Sequence, residues 1–81
     1  MAVIYRRGWN ADDSDFDRPV YSKLFANDKA SVLVEIDDIG GNEYRCSYHV
    51  DGELVKQEDT VADDALDVMI EVERIAKKYM G

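Results

Sequence analysis

Two consecutive stretches, Ser31–Asp37 and Glu43–Val50, alternate apolar and polar residues. Such alternation places apolar side chains on one face of a β-strand and polar side chains on the other. The apolar set is Val32, Val34, Ile36, Tyr44, Cys46, Tyr48 and Val50. Turn-forming residues follow each stretch, at Asp38–Asn42 and at Asp51–Gly52, and the second pair favours a type I′ hairpin. With a third strand at Glu53–Glu58, the pattern predicts an antiparallel meander with one apolar face.

The C-terminal segment has helical rather than strand periodicity. Its apolar residues recur at intervals of three and four, which predicts an amphipathic helix over residues 61–80. The stripe consists of Ala65, Val68, Met69, Val72, Ile75, Ala76 and Tyr79, widened by Leu66 and Ile70. Thr60 is the predicted N-cap, with Asp63 in the capping-box position.

The first thirty residues carry weaker patterns. Ala2–Arg6 is consistent with a short edge strand, and Gly8–Asp15 with a loop. Asp17 followed by Pro19 suggests a helix start, and the spacing of Val20, Leu24 and Phe25 would place them on one side of it. A short N-terminal helix is therefore expected near residues 18–28. The 81 residues thus predict one α+β domain: a three- or four-stranded antiparallel sheet packed against a C-terminal helix, with a short N-terminal helix.

Charge is distributed unevenly along the chain. Residues 35–73 hold thirteen carboxylates against Arg45 and Lys56, whereas residues 1–34 are neutral and residues 74–81 carry +3. A concentrated acidic block attracts a basic partner and repels nucleic acid and anionic membranes. We therefore expect a basic protein surface as the partner, with no direct binding to nucleic acid or membrane.

Metal and catalytic patterns are weak. Asp13, Asp15 and Asp17 have the spacing of a calcium loop, but Arg18 stands where that loop needs Gly and Leu24 where it needs Glu. His49 and Cys46 are an odd number of residues apart in a strand, so their side chains project to opposite faces and cannot form a nucleophile–base pair. The sequence predicts no enzyme, no metal and no cofactor.

Cellular location follows from composition. A single cysteine suits a reducing compartment, and no apolar run approaches the ~20 residues of a membrane span. The N-terminus lacks the order of a signal peptide. We expect a soluble cytoplasmic protein.

The predicted partner-binding residues lie in the strands and turns of the acidic block. They are Glu35, Asp37, Asp38, Glu43, Asp51 and Glu53. Trp9, which forms a basic-aromatic cluster with Arg6 and Arg7, is expected to pack on the edge of the sheet. The alternative adds it to the partner-binding residues as an exposed anchor, because Trp and Arg are favoured at interface hot spots.

The stretch VLVEIDDIGGNEYRCSYHVDGELV followed by a helix resembles, together with the small size and acidic charge, phage-encoded anti-CRISPR and anti-restriction DNA mimics. Some inhibitors of Cas effectors in that group also set a three-stranded acidic sheet between helices. The resemblance covers roughly residues 30–80 in pattern. It implies that the acidic turns occupy the place where an effector normally holds DNA.

Two other resemblances are weighed against this one. The segment Asp59–Leu66 is similar to the helix start of antitoxins that accompany RNA-cleaving toxins, but it is one residue longer and no DNA-binding tail follows. The α-β-β-β-α order is similar to double-stranded RNA-binding domains, but those need Lys where this chain has Asp63 and Asp64. The sequence therefore predicts a small acidic inhibitor of the phage type that blocks a nucleic-acid-binding surface. The alternative is an antitoxin-like, adaptor or regulatory interaction domain without DNA mimicry, whose acidic surface is simply solvated.

Overall fold

The computed structural model describes residues 8–12 and 20–80. In chain order the elements are β1 (Asn10–Asp12), β2 (Val20–Ala26), β3 (Ser31–Gly40), β4 (Glu43–Val50), β5 (Glu53–Val61) and α1 (Ala65–Tyr79). The strands form one antiparallel sheet in the order β1-β2-β3-β4-β5. The predicted α+β class, with a meander packed against a C-terminal helix, is confirmed; the sheet has four long strands and the three-residue β1.

Both predicted hairpins are present, and their turns have the required backbone geometry. Asp51 and Gly52 have φ values of 51° and 86°, and Gly41 and Asn42 have 65° and 61°. Positive φ at both central residues is the property of the type I′ turn, whose twist matches that of the flanking strands. The first turn is shorter than predicted, because β3 continues through a bulge as far as Gly40.

The core lies between one face of the sheet and α1. Val32, Val34 and Ile36 of β3 are fully buried, as the alternation predicts, and so is Tyr48 of β4. The helix contributes Ala65, Val68, Met69, Val72 and Ala76. Its apolar stripe is narrower than predicted, since Ile70 is 49% exposed and Tyr79 is 37% exposed.

The predicted N-terminal helix near residues 18–28 is wrong. Val20–Ala26 form strand β2, which pairs with β3 along its whole length. Tyr21, Lys23 and Phe25 share the face toward α1, because they pair with core-facing residues of β3. Because Lys23 lies between Tyr21 and Phe25 on this face, the sequence of β2 does not show the regular alternation of apolar and polar residues that predicts a strand. Val20 and Leu24, which suggested a helix by their spacing, lie on the other face, where Leu24 is 62% exposed.

The C-terminal helix begins four residues later than predicted. Thr60 pairs with Tyr44 in the sheet, and the backbone N–H of Ala62 donates to Asn42 O at 2.9 Å. These bonds keep the chain extended, so Thr60 is not the cap. The N-cap is Asp64, whose side chain accepts from Asp67 N at 3.0 Å.

The structure tests only some of the other predictions for the N-terminal part of the chain. The loop predicted at Gly8–Asp15 includes β1, whose three residues pair with β2. The strand at Ala2–Arg6 and the calcium-like run Asp13, Asp15 and Asp17 lie outside the described residues.

Candidate functional site

The helix α1 covers one face of the sheet. The opposite face is a candidate binding site. Within the described residues no element lies over this second face, which we call the open face. Residues pair across it in rows, because directly opposed residues of neighbouring antiparallel strands point to the same side. From one end of the sheet to the other, three rows run across β2, β3, β4 and β5. They are Val20–Asp37–Arg45–Asp59, Ser22–Glu35–Ser47–Gln57 and Leu24–Leu33–His49–Leu54.

The first row is charged. Arg45 donates to Asp59 through Nε at 2.9 Å and Nη2 at 3.3 Å. The hydrogen bond from Arg45, aided by its charge, lowers the pKa of Asp59, and the same bond raises the pKa of Arg45. Arg45 pairs with Asp59 on β5 and with Asp37 on β3, so this row carries two carboxylates on either side of one guanidinium.

The middle row is polar, and it connects the charged row to the apolar one. Gln57 Nε2 donates to Ser47 Oγ at 3.0 Å. Glu35 Oε1 lies 3.4 Å from His49 Nε2, and the Glu35 side chain is 44% exposed. This carboxylate is therefore accessible beside Asp37 on the same strand face.

The third row is apolar and exposed. Leu24, Leu33 and Leu54 are 62%, 38% and 51% exposed. Large apolar side chains in register on a sheet face are typical of contact surfaces, whereas scattered single ones need no explanation. The open face therefore combines an acidic end with an apolar end.

The structure divides the predicted site residues into three groups. Glu35, Asp37 and Glu43 belong to the open face, by direct pairing or by alternation along β4. Asp38 lies on the helix side: it accepts from Gly40 N at 3.0 Å, and it raises the pKa of Tyr21 and of Tyr44 as the second cause after burial.

Asp51 and Glu53 form the third group, at the opposite end of the sheet. Asp51 is eight residues from Glu43 along β4, or about 27 Å at roughly 3.4 Å per residue. Its Oδ1 accepts from Ser31 N at 3.1 Å, and this hydrogen bond joins the turn between β4 and β5 to the first residue of β3. The six acids predicted to bind the partner therefore do not form one surface, because only Glu35, Asp37 and Glu43 share a face.

Trp9 is a second correction. Its side chain is 3% exposed, and Nε1 donates to Glu73 Oε2 at 2.8 Å. Lys23 Nζ lies 3.6 Å from the same oxygen. Trp9 anchors the chain before β1 to the helix and is not an exposed binding residue. Arg6 and Arg7 lie outside the described residues.

Cys46 and His49 lie on opposite faces, as the odd separation predicts. Cys46 is 2% exposed in the core, and burial, with smaller effects from Glu58 and Asp59, raises the pKa of its thiol to about 12. A protonated buried thiol is a poor nucleophile. In residues 8–12 and 20–80, no group of three or more His, Cys, Asp or Glu side chains is placed to hold a metal ion.

A second candidate site was not anticipated from the sequence. A cavity of about 450 Å³ opens between β5 and α1 on the helix side of the sheet. Its lining includes Cys46, Tyr48, Glu58, Asp63, Asp67, Val68, Glu71 and Val72. The sequence contains one indication of this cavity. Glu58 and Thr60 alternate with Gln57, Asp59 and Val61 along β5, and their pairing with Cys46 and Tyr44 places these polar side chains on the inner face, beside the acidic start of α1.

The helix in the described part of the chain is too short and too polar to cross a membrane. The chain matches no protein-family model, and neither the curated proteins nor the solved structures include a significant match.

Proposed function

We propose that this chain is a small protein-binding inhibitor of the phage type, whose open face docks on the basic, nucleic-acid-binding surface of a partner. The observation that carries the proposal is the juxtaposition of Glu35, Asp37 and Glu43 on one sheet face, over which no other element of residues 8–12 and 20–80 lies. Strand pairing fixes the backbone that carries these carboxylates, so no backbone ordering is needed on binding, which preserves affinity. Arginine and lysine side chains that normally contact phosphates would contact these carboxylates instead.

The net charge of −8 supports the same partner class. Such a field speeds encounter with a basic surface and disfavours direct contact with DNA, RNA or an anionic membrane. DNA mimicry is the finer form of the proposal, in which the protein and duplex DNA compete for one surface.

The competing proposal is an adaptor or antitoxin-like domain that binds without mimicry. The row of exposed leucines favours it, because apolar contacts of this kind contribute nothing to phosphate imitation. In that case the apolar end of the open face carries the affinity and the acidic end provides orientation.

A pull-down from candidate host lysates, followed by binding measurements on the captured partner, tests these proposals. Glu35→Lys with Glu43→Lys should reduce affinity by at least about a hundredfold, since close interfacial charge pairs couple by about 1.5–7 kcal/mol. The matched control is Asp28→Lys with Glu53→Lys, which changes the net charge equally at exposed positions away from the acidic end. The control should retain most of the affinity at physiological salt.

Competition by duplex DNA supports the mimic form, and a partner without nucleic-acid function contradicts it. Loss of binding in Leu33→Ser with Leu54→Ser, together with full binding by the double lysine variant, would establish the adaptor form. Equal losses in the lysine variant and its control would show that net charge alone matters, against a defined acidic site.

A further inference from the structure

The cavity between β5 and α1 exists because the helix packs on β3 and β4 and leaves the inner face of β5 uncovered. At about 450 Å³ it falls within the range of small-molecule sites, about 300–1,000 Å³. It lies on the helix side of the sheet, opposite the open face, and an inference from it is independent of the proposed function.

The floor of the cavity is apolar. Cys46 and Tyr48 of β4 meet Val68 and Val72 of α1 there, and all four are at most 2% exposed. An alkyl chain placed on this floor would lose contact with water on one side without displacing any polar group.

The rim is acidic. Glu58 from β5 faces Asp63, Asp67 and Glu71 from the start of the helix and the residues before it. Two of these carboxylates are partly neutralised, because Lys56 Nζ lies 3.8 Å from Glu58 Oε2 and Arg74 pairs with Glu71. Within the described residues, the side chains of Asp63 and Asp67 have no cation at ion-pair distance.

The Tyr48 hydroxyl provides a second, independent observation. Tyr48 is fully buried, yet its hydroxyl has no hydrogen-bond partner among the described residues. Buried polar groups are normally satisfied, so an orphan hydroxyl needs an explanation. Tyr48 lines the same cavity as the rim residues Glu58 and Glu71. Burial first, and then the charges of Cys46, Glu58, Glu71 and Tyr79, raise the pKa of the hydroxyl.

The features of the cavity are complementary to one kind of ligand. The polar side chains that line it are carboxylates, which accept hydrogen bonds, and the hydroxyls of Tyr48 and Thr60, which can accept them. Among the residues that the structure describes, no group of three or more His, Cys, Asp or Glu side chains is placed to hold a metal ion. A larger cation with several N–H donors fits acceptors that are spread around a rim.

We infer that this cavity binds an organic cation on an alkyl stem. The stem lies on the floor of Val68 and Val72, and a primary ammonium or guanidinium head donates to the rim carboxylates and to the Tyr48 oxygen. A free amine and a lysine or arginine side chain of another protein share this chemistry.

NMR titrations of the intact protein with n-butylamine, butylguanidinium and the capped tripeptide acetyl-Gly-Arg-Gly-amide test the inference. The cations should shift the methyl signals of Val68 and Val72 to saturation, whereas neutral n-butanol should not. A tighter complex with the tripeptide than with butylguanidinium indicates a protein side chain as the source, and the reverse order indicates a free small molecule. Equal shifts with n-butanol, or no saturable shift with any cation, would overturn the inference.

Three variants make the test specific. Tyr48→Phe removes only the orphan hydroxyl, so the fold should persist while cation affinity falls about tenfold or more, the effect of a hydrogen bond to a charged group. Glu71→Gln should weaken binding similarly. Glu43→Gln makes the same charge change on the open face and should leave affinity nearly unchanged. If Glu43→Gln weakens binding as much as Glu71→Gln, the cation is held by net charge and not by this cavity.

Discussion

At the scale of single residues, β4 brings two ionisable groups, Cys46 and Tyr48, into the centre of the core. Burial is the main reason that the pKa of the Cys46 thiol rises to about 12 and that the pKa of Tyr48 rises above its ordinary value. Both groups are therefore neutral in the folded protein at physiological pH, and the Cys46 thiol acts there as a packing side chain.

These shifts predict that alkaline pH destabilises the protein. Because the folded-state pKa of Cys46 is raised, its contribution is complete below the unfolded value of 9.0 and is lost as pH rises toward about 12. One such site gives a slope of at most about 1.4 kcal/mol per pH unit. Urea melts between pH 8 and pH 11 should show this decline.

The control for this prediction is Cys46→Ala. The variant is less stable at pH 8 because it leaves a cavity, but its stability should fall less steeply above pH 9. Identical slopes for the two proteins would mean that the Cys46 thiol ionises freely in the folded state.

At the scale of elements, the junction between β5 and α1 shows how strand pairing sets a helix boundary. Apolar periodicity and Thr60 both suggest an earlier start, but the backbone of Thr60 and Ala62 is already bonded to β4 and to Asn42. The helix can begin only where those bonds end, and Asp64, two residues after Ala62, is the residue whose side chain caps the first turn. Asp67 in the first turn and Lys77 and Lys78 in the last turn complement the helix dipole.

Two alanine variants distinguish the caps. Asp64→Ala should lower the free energy of unfolding by about 1 kcal/mol and speed hydrogen exchange of the Asp67 amide, since the side-chain acceptor is lost. Thr60→Ala should leave exchange at Asp67 unchanged, because Thr60 is paired in the sheet and the Asp64 side chain is the acceptor for the Asp67 amide. Faster exchange of that amide in Thr60→Ala than in Asp64→Ala would return the cap to Thr60.

At the scale of the whole molecule, a contact between residues 64 positions apart joins the beginning of the sheet to the helix. Trp9 donates to the buried Glu73 carboxylate, and Lys23 lies beside the same oxygen. At the C-terminal end of the helix, Asn27 Nδ2 donates to Met80 O at 3.2 Å. The first contact joins the chain before β1 to α1, and the second joins the end of β2 to the end of α1. Polar contacts therefore hold the sheet and the helix together in addition to the apolar core.

Trp9→Phe is expected to destabilise the protein by about 1.5–3 kcal/mol, because it removes a hydrogen bond to a buried charged group while keeping an aromatic ring. Thermal or urea unfolding measures the loss. A double-mutant cycle with Glu73→Gln should give a coupling energy above about 0.5 kcal/mol. Additive effects of the two substitutions would show that the Trp9–Glu73 bond does not contribute to stability.

Local patterns along the chain were sufficient for β3, β4, their turns and the existence of α1. The alternation of Val32, Val34 and Ile36 with polar residues needs no knowledge of the rest of the fold, because the side-chain period of a strand is a local property. The same holds for Asp51–Gly52, whose preference for positive φ selects the hairpin, and for the placement of Cys46 and His49 on opposite faces.

The remaining features depended on contacts between distant parts of the chain. Lys23 occupies a core-side position because Glu73, fifty residues later, lies beside it, and no local pattern around β2 contains that partner. Trp9 is buried for the same reason. Which acids share a face depends on the alternation of side chains along each strand and on the register between strands. Asp37 and Asp38 are neighbours in sequence but lie on opposite faces, and Asp51 is at the far end of the sheet. The cavity beside β5 exists only because a single helix is narrower than a sheet of five strands, a mismatch between elements that becomes visible once they are packed together.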